Sequence, residues 1–323
     1  MLLMTLDIHG TTRRISNEEL PLEHQWFAEL SRPPTVKYAT RQLYGGMVAP
    51  TFGSFQTIPT TFTETTWPPP ATIEAIVQHT ETTEAEAVEL FRATCQRSGF
   101  DRTGVNYNTH HKQMDKERTA TGFNDPLLSI FQTYCGASWL NLTLDSTMYR
   151  APAGNIVYTL SNTAQILDVL SDIAAHAAHL FYIEDGTLYL VDMHQDNGTL
   201  TLDEFDFLPV TYSDGQPYAT YRIHETTISG SAPHGGELSV TPVMSNASDR
   251  TARLGFIKTI MESPRAIIRV PLNATSASIK PGKRLEWTDE SQGEDVTAWI
   301  RARSINYDFG QDIIFVEGEG GIA

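Results

Sequence analysis

The chain is 323 residues long, with 23 Lys and Arg against 39 Asp and Glu for a formal charge of −16, and 40% of its residues are hydrophobic. That length and apolar content exclude a small disulfide-stapled scaffold and a disordered acidic tail, and they predict two or three modules, each with its own core. The charge excludes tight nucleic-acid binding, which needs clustered Lys and Arg to displace counterions from phosphates, and it fits either plain solubility or a channel through which DNA slides without sticking.

The N-terminal Met1-Leu2-Leu3-Met4 is broken by Asp7 and lacks a basic flank, which argues against a signal peptide. As far as Trp67, strand formers alternate with breakers: Val36-Lys37-Tyr38, Gln42-Leu43-Tyr44, Gly45-Gly46 and Thr60-Thr61-Phe62-Thr63. This mixture predicts short antiparallel strands. Pro68-Pro69-Pro70 cannot sustain a hydrogen-bonded ladder and predicts an extended spacer, so the first β module is placed at residues 1–70.

The middle region, 71–198, is predicted to hold three helices and a hairpin. Between Glu84 and Arg97, Ala87, Val88, Phe91 and Cys95 recur at helical spacing, Thr83 and Glu86 form a capping box, and Gly99 follows. A second helix has Asp125 as cap, Pro126 at its first position and Leu127, Ile130, Phe131, Tyr134 and Cys135 on one stripe before Gly136. Leu140, Leu142 and Leu144 then alternate as a half-buried strand does. The third helix, Thr163 to His179, presents Ile166, Leu167, Val169, Leu170, Ile173, Ala174 and Ala177 on a broad apolar face with Asp168 and Asp172 outside. Those aspartates also make Ile166 to Ile183 a poor membrane span. Leu180-Phe181-Tyr182-Ile183, Asp185-Gly186 and Leu188-Tyr189-Leu190-Val191 follow directly, and an Asp-Gly pair between two apolar runs is a strong hairpin signal.

From 199 to 323 the patterning is β-type. Ala266-Ile267-Ile268-Arg269-Val270 reads as a strand, Lys280-Pro281-Gly282-Lys283 as a turn and Arg284 to Trp287 as the start of another strand. Val296, Ala298, Ile300 and Ala302 alternate, and the phase then slips to Ile305, Tyr307 and Phe309, which predicts a bulge near Arg303-Ser304. Gly310-Gln311 turns the chain into Ile313 to Val316. The fold class expected is α+β, mainly antiparallel β, with two β domains flanking an α/β middle region.

Chemical signals are sparse. His176 and His179, three apart, are spaced to share a metal, with Asp192 or His194 as a third ligand; the commoner role of such histidines is to cap the carbonyls of a helix C-terminus. We therefore assign no metal and no cofactor, and keep His176, His179 and His194 as the candidates for a metal-dependent hydrolase. His110-His111-Lys112 with Lys116 and Arg118 reads as a solvated loop, since acidic residues interleave and no phosphate-binding glycine motif occurs. Ser229-Gly230-Ser231 to Gly236 reads as a loop between strands and not as a nucleophile elbow. Cys95 and Cys135 read as two buried thiols of a reducing compartment, and the Asn-x-Ser/Thr triplets at Asn141, Asn197, Asn246 and Asn273 matter only in a secreted chain. No catalytic residue is assigned.

Two stretches carry a family resemblance. Ala164 to Ala174, continuing through Phe181 to Val191, and Pro281 to Leu285 with Ala298 to Tyr307 and Ile314 to Gly318, are similar to sequences of the central baseplate and tail-tip hub proteins of tailed bacteriophages. The resemblance implies tube-like β-sandwich or barrel domains packed side by side in a ring. It also implies a homo-oligomer, a trimer ahead of a hexamer, joining the tail tube to a central fibre or spike. Tape measure and other distal tail proteins would be its neighbours, with DNA only in passage. The location implied is the virion tail tip, after assembly in the bacterial cytoplasm. On this reading the chain is structural and not an enzyme, and Glu64, Asp203, Glu204, Asp206, Asp289, Glu290, Glu294 and Asp295 are candidates to line the lumen by residue type. The alternative to the hydrolase and the hub is a carbohydrate-binding or receptor-binding tail protein that stacks sugars on Trp67, Trp287 and Trp299.

Overall fold

A computed structural model describes residues 2–8, 11–16, 30–32, 35–42, 45–52, 55–57, 73–79, 88–100, 105–111, 117–118, 121–152, 154–160, 162–184, 186–193, 195, 198–203, 209–213, 217–223, 225–240, 247–262, 267–273, 279–289, 296–308 and 313–322. Elements are numbered in chain order. One sheet of seven strands is antiparallel throughout, in the order β2 (Thr11–Ser16), β1 (Leu2–Ile8), β7 (Ile73–His79), β8 (Val88–Phe100), β9 (Val105–His111), β6 (Phe55–Thr57) and β3 (Leu30–Arg32).

An eleven-stranded sheet runs β12 (Thr143–Asp145), β16 (Thr187–Asp192), β15 (His179–Glu184), β5 (Gly45–Phe52), β4 (Thr35–Gln42), β24 (Val296–Asp308), β25 (Ile313–Ile322), β22 (Ile267–Asn273) and β18 (Thr211–Ser213). To it β23 (Arg284–Asp289) adds on β24, and β17 (Thr199–Thr201) on β23. Two small ladders join β10 (Glu117–Arg118) to β14 (Ala164–Gln165) and β11 (Thr121–Asp125) to β13 (Ile156–Leu160). A third small sheet has the order β20 (Thr226–Ser229), β19 (Thr220–Ile223), β21 (Glu237–Val240). Helices are α1 (Leu127–Cys135), α2 (Ile166–His176) and α3 (Ala247–Glu262). The architecture is the expected α+β, dominated by antiparallel sheet.

Local chemistry explains the middle elements. In α1 the five apolar stripe residues are the buried ones, because spacings of three and four place them on one face. Pro126, whose missing N–H costs nothing there, occupies the cap position, while Asp125 closes β11. Helix α2 buries its predicted apolar face and ends earlier than expected, at His176. Ala178 takes a φ of +56° there and throws the chain into β15. Gly186, at φ +72°, makes the turn into β16, and Gly282, at φ +84°, makes the turn before β23. At the predicted bulge the pairing of β24 with β25 shifts between Ala302 and Ser304.

Three readings are corrected. The segment expected as a helix from Glu84 to Arg97 is the strand β8 where it is described, laddered on one side to β7 and on the other to β9. Phe91, Ala93 and Cys95 occupy alternate positions, so the same residues satisfy a period of two, and pairing on both edges outweighs local helix signals. Second, the 199–323 region contains α3, which among its described side chains buries the apolar Leu254 and Ile257. A helix that packs one short stripe on a small sheet leaves a faint periodic trace. Third, β4 and β5, from the first 70 residues, pair with β24 and β15, so the large sheet draws strands from all three stretches of sequence. The tri-proline and the Thr60 to Thr63 segment lie outside the described residues.

Gly45 and Gly46 make the joint between β5 and α2 possible. At φ +131° and +100°, a Cβ on them would lie 2.6 Å from the His179 carbonyl oxygen and 2.8 Å from Ser171 Oγ, the group that accepts the Met47 amide at 2.9 Å. Gly46→Ala is therefore expected to lose roughly 2–4 kcal/mol from combined backbone strain and overpacking. A urea denaturation midpoint equal to that of the parent would refute it.

Candidate functional site

Two of the histidines considered as metal ligands lie together at one helix end. His176 and His179 are both buried at the α2–β15 junction, where Asp192 pairs with His179 across the hairpin. His179 Nδ1 lies 2.7 Å from the Ala177 carbonyl oxygen, the geometry of an imidazole closing a helix end. Its ring also packs on Tyr149, with 5.3 Å between centroids. Burial, together with the nearby Arg253 guanidinium, pushes the His176 imidazole down to about 3. Burial likewise lowers His179, against the opposing pull of the Ala177 carbonyl and Asp192. Among the described residues no three His, Cys, Asp or Glu side chains are grouped to hold a metal ion, and His194 lies outside them. The arrangement is that of a buried helix terminus, in which Arg253 of α3 also donates to the Ala175 carbonyl.

The bulge in β24 organises a second polar cluster. The extra residue, Arg303, is 2% exposed, and its guanidinium donates to Glu319 Oε1 and to the Met193 carbonyl. Arg301 donates to the same two oxygens, each at 3.0 Å. Two guanidiniums on one carboxylate thus tie β24 and β25 to the end of the β15–β16 hairpin. Sequence reading located the bulge but not its purpose, which is to re-aim a charged side chain inward.

Two of the three tryptophans considered for sugar stacking are among the described residues. Trp287 is 3% exposed and belongs to the large-sheet core. Trp299 has the Arg284 guanidinium 4.6 Å and the Arg301 guanidinium 5.7 Å from its ring centroid, so its ring is engaged with cations of this chain. Trp67 lies outside the described residues.

Arg118, read as part of a solvated loop, sits instead among Phe123, Tyr134 and Trp139, 5.2 to 5.4 Å from each ring centroid. His110 and His111 are in β9, and Lys112 and Lys116 lie outside the described residues. Cys135 is buried as expected, and burial pushes its thiol up to about 11. Cys95 is in β8.

Of the acidic candidates, Asp203 is exposed just after β17. Asp289 is 7% exposed and closes β23 opposite Val296, at the same parity as the buried Leu285 and Trp287. Glu64, Glu204, Asp206, Glu290, Glu294 and Asp295 lie outside the described residues. A cleft of about 380 Å³ lies between the β15–β16 hairpin and the 280–283 turn, floored by the stacked rings of Tyr182 and Tyr189 and rimmed by Asp145, Glu184, Lys280 and Lys283. Lys280 is ion-paired with Glu184 across it. No nucleophile, base and oxyanion-donor set converges there.

What decides the comparison is the course of the whole chain. The 43 kDa tail protein of prophage MuSo2 from Shewanella oneidensis superposes with a TM-score of 0.58 at 9% identity, covering 100% of this chain and 97% of that one. This chain has the fold of a prophage tail protein. A tail protein from Neisseria meningitidis MC58 gives 0.57 at 11% identity, covering 98% and 96%. The prophage tail protein gp18 from Listeria monocytogenes EGD-e gives 0.54 at 7% identity, covering 98% and 93%. No family model and no curated protein matches the sequence.

Proposed function

We propose that the chain is a structural component of a phage tail tip, a hub or adaptor ring that joins the tail tube to a distal fibre or spike. The observation that carries this reading is the end-to-end likeness of fold to three tail proteins, two of them from prophages, with more than nine-tenths of each chain covered. A structural role agrees with a site inventory in which the buried polar groups tie sheets and helices together. On this reading several copies, three in the favoured arrangement, close around a hole through which DNA passes. The formal charge of −16 keeps phosphates from adhering to the wall. Asp203 is the described lumen candidate that stands exposed; the other candidates of that type, Asp289 apart, complete the proposal. The outer strands β2, β3, β12 and β18 offer edges for subunit pairing. The tail tube, the distal fibre or spike and the tape measure are the partners, and the virion tail tip is the place.

Native mass spectrometry with averaged electron images tests it. The expected species is a closed ring with threefold symmetry, at three times the 35.9 kDa of one chain. A monomer that persists at high protein concentration and in the presence of tail-tube protein overturns the proposal.

A further inference from the structure

The chain leaves the large sheet after Ser213 at the end of β18 and rejoins it at Ile267 at the start of β22, which stand opposite each other. Between these strand ends, β19, β20, β21 and α3 enclose a core of Tyr221, Ile223, Val240, Leu254 and Ile257, none of which is shared with the other two cores. The unit braces itself: Lys258 donates to the Ser229 carbonyl at 2.8 Å, and the Ser231 amide donates to Glu262 Oε1 at 2.8 Å.

Its attachment to the body has a different character. Arg253, 4% exposed, reaches from α3 to the Ala175 carbonyl in the last turn of α2, with its guanidinium 4.9 Å from the Phe256 ring centroid. Half-buried Phe256 packs against both the insert core and the large-sheet core. The Ala175 carbonyl also accepts a long bond of 3.3 Å from the Ala178 amide and shares the Ala177 amide with the Ile173 and Ala174 carbonyls, so the main chain alone serves it weakly. A cation on the C-terminal carbonyls of a helix is favoured by the helix dipole, and a charge-assisted bond sealed from water is the strong kind.

We propose that this insert is a separately cooperative unit hinged at the β18–β22 pair, and that Arg253 is the latch that holds it on the C-terminal end of α2. With the latch closed, the insert and the body move together. Release hydrates the Ala175 carbonyl and frees the insert to turn about the two adjacent strand ends, with its own core intact. The inference is independent of the ring reading.

Hydrogen exchange on the full-length chain tests it in Arg253→Met, which keeps bulk and removes the donors, and in Arg253→Lys, which keeps the charge. Exchange at the Ala177 and Ala178 amides is expected to rise about tenfold or more in Arg253→Met. The Tyr221 and Ile223 amides should keep their protection, and Arg253→Lys should fall between parent and Arg253→Met. Equal acceleration in insert and body, no acceleration anywhere, or failure of both variants to fold overturns the proposal.

Discussion

Glu319→Ala is expected to destabilise the chain by about 3–5 kcal/mol, the usual cost of breaking a buried ion pair from one side. The carboxylate serves Arg301 and Arg303 together, and the side chains of these residues are 12%, 2% and 13% exposed for Arg301, Arg303 and Glu319. Removing it leaves two positive charges close together in a medium where water cannot screen them. Arg301→Met and Arg303→Met combined with Glu319→Met should recover much of the loss, since three apolar side chains of similar volume carry no desolvation penalty. Urea denaturation of the single and triple variants reads this directly. A Glu319→Ala midpoint within error of the parent would show that the cluster contributes nothing. Because these strands tie the C-terminal sheet to the hairpin of the middle region, the same variant should also lose the ring assembly proposed above.

Acid is expected to unfold the protein through His176 before its carboxylates have all been protonated. The imidazole is 2% exposed, and burial with Arg253 holds it down to about 3 in the folded chain, against an ordinary 6.5. Below pH 6.5 the unfolded chain therefore binds a proton that the native chain refuses, and stability falls as pH falls. The contribution is fully present above 6.5 and lost as the pH falls through about 3, amounting to roughly 5 kcal/mol across that window. His179, lowered chiefly by burial, adds to the loss with the same sign. His176→Gln carries no titrating group, so its denaturation midpoint should vary less between pH 7 and pH 4 than the parent's. Parallel pH profiles for the two proteins would rule the mechanism out.

How far the chain could be read in advance depends on the range of the interaction that forms each element. Helix α1, helix α2 and the β15–β16 hairpin are built from contacts within a few residues, and their apolar stripes, Pro126 and the Asp185-Gly186 pair announce them. The bulge in β24 was visible because a slip of phase from Ala302 to Ile305 has no other reading in a strand. Strand β8 was misread because helical and alternating patterns coincide in Phe91, Ala93 and Cys95, and the partners that settle the matter lie in β7 and β9. The buried polar clusters left no trace at all. Nothing local links Arg253 to Ala175, 78 residues away, or Arg303 to Met193, 110 residues away.

Composition, period and turn chemistry thus determined the α+β class, helices α1 and α2 and the hairpin, because those signals report free energies set within one turn or one strand. Tertiary structure alone decided that β4 and β5 complete the C-terminal sheet, that an insert hangs from the β18–β22 pair, and that His179, Arg253 and Arg303 are buried against main-chain carbonyls. Strand pairing and charge burial depend on which distant segments meet, and that choice follows from the summed burial of the whole chain.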